Sequence, residues 1–386
     1  MAVDEEREAP RMQVIQIIIS FLLGIICDWF LRDPITNFYI RSKRQYWLRK
    51  SGLNKRGTTN TFLLGNEDTH LLIINGDGSG KYNFHNIQIT LDDNHNNRLR
   101  IPVYLREAIK DIARKEKEKK NKSIPYAWNG KMIHIKSFNN TRTPDKENWL
   151  LKITVQKGRY YHFMATTVAI HKDFDKKGFQ SKLRNDLIGG FSNWRFDTPP
   201  NMLNGLPINL HVITETDNKI IFSKRSHAVA ITPNVISAVI NENLHPDDDC
   251  LRYSKKYDVE NFILRSLQQE IGWKDKEHEG SRDDPKASTH ILLFTIDIAR
   301  VAYGLLGYTL LPISSIEFLR MFENDCGDRF ETAEFSPIDF SSRAVCRFIH
   351  ENKLYNSVGV GAIYSLIHRG GISRNIQKLF IELQNK

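Results

Sequence analysis

A continuous apolar segment near the start of the chain constrains the fold more than any other feature of the 386-residue sequence. It covers residues 12–31, includes Asp28 as its one charged side chain, and carries Trp29, a residue type common at membrane interfaces. As a helix, these 20 residues would extend roughly 30 Å, which matches the hydrocarbon core of a bilayer. We therefore expect a single transmembrane helix, and a buried helix of a water-soluble protein is the alternative.

Most of the net charge of +10 lies directly after this segment. Residues 32–56 contain eight Lys and Arg side chains against Asp33 alone, whereas residues 1–11 form an acidic tail. Positive residues mark the cytoplasmic flank of a membrane helix, so we expect an inner-membrane protein with a cytoplasmic C-terminal body. Aromatic residues alternate with these cations, which favours contact with membrane lipids; nucleic-acid binding is the alternative. The remaining chain carries a dilute charge of +6, so nucleic acid is not an expected partner.

Composition and local patterns predict a folded α+β body after the basic segment. Hydrophobic residues make up 40% of the chain, which is enough to bury a core, and its four cysteines form no CxxC pair. We expect an α/β spacer, or an N-terminal part of one larger region, over 57–200, followed by a second unit over 201–386. The predicted strands of the first part are 59–74, 83–91, 131–138 and 149–155, and its predicted helices are a long one from Pro102, ending in a solvated Lys- and Glu-rich run at 114–122, and one at 160–170.

The second part has a clearer pattern. A hairpin is predicted around Asp217 and Asn218. An acidic loop with Asp247, Asp248 and Asp249 is expected to be solvated, and the alternative is that these carboxylates fold over the following helix and restore negative charge there. A helix over 258–271 follows, with Gly272 at its end. The other predicted elements are strands at 234–240 and 290–298 and helices at 342–354 and 375–383.

The helix over 258–271 contains a recognisable motif. Its end, Arg265-Ser-Leu-Gln-Gln-Glu-Ile-Gly-Trp273, resembles the REUxEExGU half of the Nudix box, in which U is aliphatic. With the hairpin before it and the strand after it, the resemblance covers Pro207–Arg369 and implies a Nudix-like mixed-sheet domain. The other half of the box is not matched, since Leu251 and Tyr257 occupy its glycine and glutamate positions.

The residues at the metal-binding positions of the box argue against hydrolysis. In the motif, three glutamates on one helix face gather Mg²⁺ ions that activate water for attack on a diphosphate. Here these positions hold Ser266, Gln269 and Glu270. We therefore expect no catalytic residue and no cofactor, with Mg²⁺ disfavoured and Glu270 the one candidate metal ligand. Gln269 is expected to accept a hydrogen bond from Arg265.

The resemblance also suggests where a ligand would bind. A Nudix-like fold holds phosphates, and the hairpin ends in the cations Lys224 and Arg225. Glu242 is the nearest candidate for the missing loop glutamate. We therefore predict Lys224, Arg225, Glu242 and Arg265 as ligand-binding residues.

The whole layout resembles the transmembrane Nudix effectors of bacterial cyclic-oligonucleotide antiphage signalling systems (CBASS). This resemblance implies a cyclic oligonucleotide as ligand and a membrane segment that disrupts the membrane or halts growth when ligand clusters the chains into homo-oligomers. Gln13, Gln16, Ser20 and Gly24 recur at helical spacing and form a stripe that would favour self-association in lipid. A membrane-tethered Nudix hydrolase acting on nucleoside diphosphate derivatives is the alternative function.

Overall fold

A computed structural model describes residues 61–76, 86–93, 101, 103–124, 126–142, 149–177, 183, 186, 202–227, 229, 233–251, 254–273, 288–326, 331–352, 354, 356–370 and 375–385. The predicted membrane helix, with its stripe of Gln13, Gln16, Ser20 and Gly24, and the basic segment lie outside these ranges. Within them, no helix combines the length and apolar character needed to cross a membrane.

Strands and helices are interspersed along the described part of the chain. In order they are β1 (Leu63–Leu64), β2 (Glu67–Asp68), β3 (Leu71–Asn75), β4 (Ile87–Leu91), α1 (Val103–Asn121), β5 (Lys131–Arg142), β6 (Trp149–Arg159), α2 (Tyr160–Phe163), a π-helical turn (Met164–Val168), α3 (Ala169–Lys177), β7 (Pro207–Thr214), β8 (Lys219–Arg225), β9 (Ile236–Ala238), β10 (Ile240–Asn243), β11 (Lys256–Tyr257), α4 (Val259–Ile271), β12 (Thr289–Asp297), β13 (Ala302–Leu311), α5 (Ser315–Asp325), β14 (Thr332–Asp339), α6 (Ser342–Glu351), α7 (Asn356–Arg369) and α8 (Ile376–Gln384).

Two mixed sheets organise these elements into an α/β architecture. The larger sheet has the order β14-β8-β7-β13-β12-β3, and β9 and β10 pair with β8 and β7. Its β7 and β13 strands are parallel, and its other pairs are antiparallel. The smaller sheet has the order β11-β4-β6-β5, with β4 and β6 parallel. The mixed sheets agree with the α+β class that the sequence predicts.

Strands from the two halves of the chain are exchanged between the sheets. Strand β3 pairs with β12 in the larger sheet, and β11 pairs with β4 in the smaller one. One apolar cluster also runs through both sheets and contains residues from β4, β6 and α4. The domain boundary near residue 200 stays a prediction. Strands β3 and β11 each pair with a strand from the other side of it.

The larger sheet is covered on both faces by amphipathic helices. Helix α4 packs on one face through Phe262, Ile263 and Leu267. Helices α6, α7 and α8 belong to the apolar cluster on the other face. The predicted hairpin at Asp217 and Asn218 is confirmed as the β7–β8 turn, where Asn218 adopts a φ of 48°.

The structure corrects two predicted features and adds one helix that was not predicted. The predicted strand 59–74 is interrupted by the small β1–β2 hairpin, whose turn contains Gly65 at a φ of 63°. The Lys- and Glu-rich end of α1 is not fully solvated, because Glu116 is buried and accepts hydrogen bonds from Lys119 and the Ala127 amide. Helix α7 was not predicted, since its glycines have low helix propensity. One of these glycines is Gly361, where an added Cβ would lie 3.4 Å from His211 Nε2. The absence of a side chain therefore leaves room for His211.

Candidate functional site

The box helix α4 begins and ends where the sequence predicts. The Asp258 side chain accepts a hydrogen bond from the Glu260 amide and so caps the first turn. Gly272 follows the last turn in the left-handed region with a φ of 74°. A Cβ at that position would lie 2.5 Å from the backbone carbon of Asp325, so a glycine is required for two independent reasons. The helix therefore holds the box residues in a fixed orientation.

Arg265 is the centre of a dense polar network on this helix. Its Nε donates to Asp249 Oδ1 at 2.9 Å and its Nη2 donates to Asp249 Oδ2 at 2.8 Å, which is a bidentate ion pair. Its Nη2 also donates to the Asn243 carbonyl at 2.7 Å, and Nη1 lies 3.3 Å from Glu242 Oε1. The predicted hydrogen bond to Gln269 is confirmed, with Nη1 donating to Oε1 at 2.7 Å. Arg265 is thus committed to structural partners.

Asp249 is the residue of this network that sequence reasoning missed. The acidic loop was expected to be solvated, but the Asp249 side chain is 0% exposed, so that expectation is wrong at this position. Asp249 also accepts a hydrogen bond from the His245 amide at 2.6 Å. It pairs with Arg265 more closely than Glu242, the predicted loop carboxylate, does. In the sequence, the signal for this ion pair is a run of acidic residues shortly before a helix that contains an arginine.

Burial and neighbouring charges shift the pKa values of Arg265 and Glu242. Burial lowers the pKa of Arg265, but the carboxylates of Asp249 and Glu242 outweigh it and raise the pKa overall. Burial raises the pKa of Glu242, and the Arg265 charge offsets only part of that effect. The guanidinium is therefore held charged by Asp249, while Glu242 resists ionisation more than an exposed glutamate does.

The residues at the metal positions of the box do not fit a Mg²⁺ ion. Ser266 is buried, and its hydroxyl donates to the Phe262 carbonyl at 2.7 Å within the helix. Gln269 is held by Arg265, and the two nearby carboxylates are paired with the same guanidinium. Among the described residues, no group of three or more His, Cys, Asp or Glu side chains is arranged to hold a metal. Because Mg²⁺ requires several hard oxygen ligands, this site lacks the donor set for it.

A large cavity opens beside this network. Its volume is about 1010 Å³, and its walls come from α1, α2, the π-helical turn and α3 on one side and from the larger sheet on the other. Of the predicted ligand-binding residues, Arg225 and Glu242 line it. Arg265 contacts the cavity wall through Glu242 and Asn243. Lys224 instead lies on β8, 4.0 Å from Glu334 of β14, and does not line the cavity.

Arg225 has an unusual environment within this wall. Its Nη2 lies 3.7 Å from Glu331, whereas its buried Nε has no hydrogen-bond partner among the described residues. Burial raises the pKa of the neighbouring Tyr160, and the negative charge of Glu331 adds to that effect. An unsatisfied buried donor is costly unless something accepts from it, so this edge of the cavity is suited to a ligand acceptor.

Amide and hydroxyl side chains form a second group in the cavity wall that the sequence did not reveal. Asn209 of β7 and Asn241 of β10 are directly paired residues of the sheet, and Asn241 Nδ2 lies 3.5 Å from Ser237 Oγ. Asn204 and Ser357 also line the cavity. These residues come from strands, a loop and the first turn of α7, and no spacing pattern connects them. Only the folded chain brings them together.

Comparisons with known proteins give a similarity to solved structures. No protein-family model matches the chain, and no curated protein matches it. Among solved structures, the crystal structure of Tm1382, "a putative Nudix hydrolase", is similar at 13% sequence identity, covering 42% of this chain and 69% of that one, with a TM-score of 0.26. A similarity of this size does not indicate an activity for this chain.

Proposed function

We propose that this protein is a membrane-anchored sensor that binds a cyclic nucleotide signal through a Nudix-like unit without hydrolysing it. The observation that carries the proposal is the buried ion pair between Arg265 and Asp249. It commits Arg265 of the box to a carboxylate of the preceding loop, at a helix where Ser266 and Gln269 stand at two of the three glutamate positions. A helix built this way supports the shape of a binding site and lacks the means to activate water.

The cavity beside α4 supports a binding role. Its volume of about 1010 Å³ is at the upper end of small-molecule sites, which are commonly about 300–1,000 Å³. Such a volume suits a ligand larger than a mononucleotide. Arg225 and Glu242 from the predicted ligand-binding set line it.

The membrane part of the proposal is supported by the sequence. The apolar segment 12–31 and the basic segment 32–56 have the length and charge order of a single span with a cytoplasmic body. On this proposal, ligand clusters the cytoplasmic bodies, and the raised effective concentration drives the membrane helices together. The output is then a loss of membrane integrity or a halt in growth, as in the antiphage effectors that the layout resembles.

The full chain in lipid nanodiscs tests the sensor against the hydrolase. We expect binding of at least one cyclic di- or trinucleotide by calorimetry, and no Mg²⁺-dependent cleavage of ADP-ribose or other nucleoside diphosphate derivatives above background. We also expect the protein to stay in the membrane pellet after a carbonate wash. Efficient cleavage that Glu270→Gln abolishes would establish the hydrolase instead, and release by carbonate would remove the membrane anchor.

A further inference from the structure

The wall of the cavity contains buried polar groups that have no hydrogen-bond partner among the described residues. Asn204 is buried, and its Oδ1 lies 3.0 Å from the Thr167 hydroxyl, but its Nδ2 has no hydrogen-bond partner among the described residues. The buried Ser357 hydroxyl is likewise without one. Both residues line the cavity. Because buried polar groups in folded proteins are almost always satisfied, such groups in a cavity wall indicate a partner that enters from outside.

The paired strands β7 and β10 add two more amides to this wall. Asn209 and Asn241 are directly paired across the two strands, and both line the cavity. Beside them, β13 carries Gly304, where an added Cβ would lie 3.3 Å from Asn209 Nδ2. A side chain at this position would crowd the amide, so the glycine leaves room for Asn209 to lie beside β13. An amide offers an adjacent donor and acceptor, which is the pattern that matches the edge of a nucleobase.

Two lysines at the cavity wall are available for an anion. Lys115 of α1 and Lys172 of α3 line the cavity and are exposed, and the charge of Lys172 helps to lower the pKa of Glu116. The other cations of the wall are engaged, since Lys119 pairs with Glu116, Lys131 with Asp247 and Arg225 with Glu331. A phosphate group is a suitable partner for two exposed lysines at the wall of a polar cavity.

An aromatic side chain lies at the same wall. Trp128 is 71% exposed, which is unusual for a residue of its size, and it lies against the backbone of Gly130. Its ring is therefore held in place on one side and open on the other. Flat aromatic faces of this kind stack on nucleobases with about 1–3 kcal/mol per base.

We infer that this cavity is a nucleotide site in which Asn204, Asn209 and Asn241 bind the edge of a base while Lys115 and Lys172 bind a phosphate. The inference deepens the proposed function and depends on it for the cyclic nature of the ligand. It places ligand recognition in the amide-lined wall between the sheet and helices α1 to α3, away from the metal positions of α4. Base selection then depends on Asn241, and charge recognition depends on Lys115.

The test uses the full chain in nanodiscs and a defined set of probes. These are cyclic di-AMP, cyclic di-GMP, cyclic GMP-AMP, cyclic tri-AMP, the four mononucleotides and their nucleosides, measured by calorimetry at physiological salt. We expect Asn241→Leu to weaken the best probe by about tenfold or more, because a base donor or acceptor loses its partner. Asn139→Leu, at an exposed position of β5 away from the cavity, is the control and should change affinity less than about twofold.

Charge reversal separates the phosphate contact from the base contact. Lys115→Glu should weaken the phosphate-bearing probes by about tenfold and leave the corresponding nucleoside unaffected, since only the phosphate carries charge. Lys117→Glu, two residues along the same helix and outside the cavity wall, should have little effect because salt screens exposed charges beyond about 8 Å. Asn241→Asp keeps the shape of the side chain and removes its donor, and weakened binding with an unchanged unfolding midpoint distinguishes a lost contact from misfolding.

The outcomes distinguish this inference from the proposed function. Cyclic oligonucleotide binding that is unchanged in both Asn241→Leu and Lys115→Glu would overturn the cavity assignment and leave the sensor in place. Binding of a mononucleotide alone, with the expected dependence on both residues, would support the cavity assignment and overturn the cyclic signal. If no probe binds, both are wrong.

Discussion

The substitution Asp249→Asn tests the central ion pair of α4 most directly. Asparagine keeps the size of the side chain but removes the charge that neutralises Arg265. The Asp249 side chain is 0% exposed and that of Arg265 is 13% exposed, so water can replace little of what is lost. Removing one partner of a buried ion pair costs about 3–5 kcal/mol. Because Glu242 remains 3.3 Å from Arg265, we expect a loss near the lower end, at roughly 3 kcal/mol.

The measurement compares this variant with its neighbour Asp248→Asn. The Asp248 side chain is 61% exposed and pairs with His245, so its substitution should change the free energy of unfolding by less than about 0.5 kcal/mol. Urea denaturation of the full chain gives the global loss. Hydrogen exchange of the α4 amides gives the local loss, which should be largest around Arg265 because Asp249 attaches the loop to this helix.

A double-mutant cycle decides whether the loss comes from an uncompensated charge. Arg265→Met removes the guanidinium, so Asp249→Asn should cost less in that background by about 1 kcal/mol or more. If Asp249→Asn is no more destabilising than Asp248→Asn, or if its cost is the same with and without Arg265, the ion pair does not hold this site together and the reasoning fails.

Three further substitutions have expected effects of different sign. Burial raises the pKa of Glu242, so folding becomes less favourable as pH rises above about 4.5, and Glu242→Gln should keep or increase stability at pH 7, measured by urea denaturation. Burial lowers the pKa of His211 from 6.5 to about 4. As the pH is lowered through this range, the unfolded chain binds a proton at His211 before the folded chain does, so the free energy of unfolding decreases. His211→Gln should reduce that decrease in a pH series of unfolding curves. Gly272→Ala should cost about 1–3 kcal/mol in thermal unfolding, because it forces a left-handed alanine against Asp325.

The parts of the structure that the sequence predicted depend on neighbouring residues along the chain. The β7–β8 hairpin forms because Asn218 accepts a positive φ, and α4 begins at an aspartate cap and ends at Gly272. The hydrogen bond from Arg265 to Gln269 spans one helical turn. These features need only local sequence, and the structure confirms them.

The parts that the sequence did not predict depend on residues distant along the chain. Asp249 is acidic like its neighbours, and only the position of Arg265, 16 residues later, distinguishes it. The amides at the cavity wall are brought together by the pairing of β7 with β10 and by a loop beside α2 and α3. Such groupings have no fixed spacing, so a single sequence cannot reveal them.

The packing of α4 separates the two positions at which the box motif has glutamates and this chain does not. Ser266 is fully buried, whereas the Gln269 side chain is exposed and accepts a hydrogen bond from Arg265. Gln269→Glu should therefore fold normally and form a charged contact with Arg265. Ser266→Glu would bury a carboxylate at a position that is 0% exposed, at a cost of several kcal/mol. We expect the first variant to keep the wild-type unfolding midpoint and the second to lose it, with neither cleaving ADP-ribose in the presence of Mg²⁺. A stable Ser266→Glu variant that gained hydrolysis would mean that α4 can still turn its glutamate positions toward a metal.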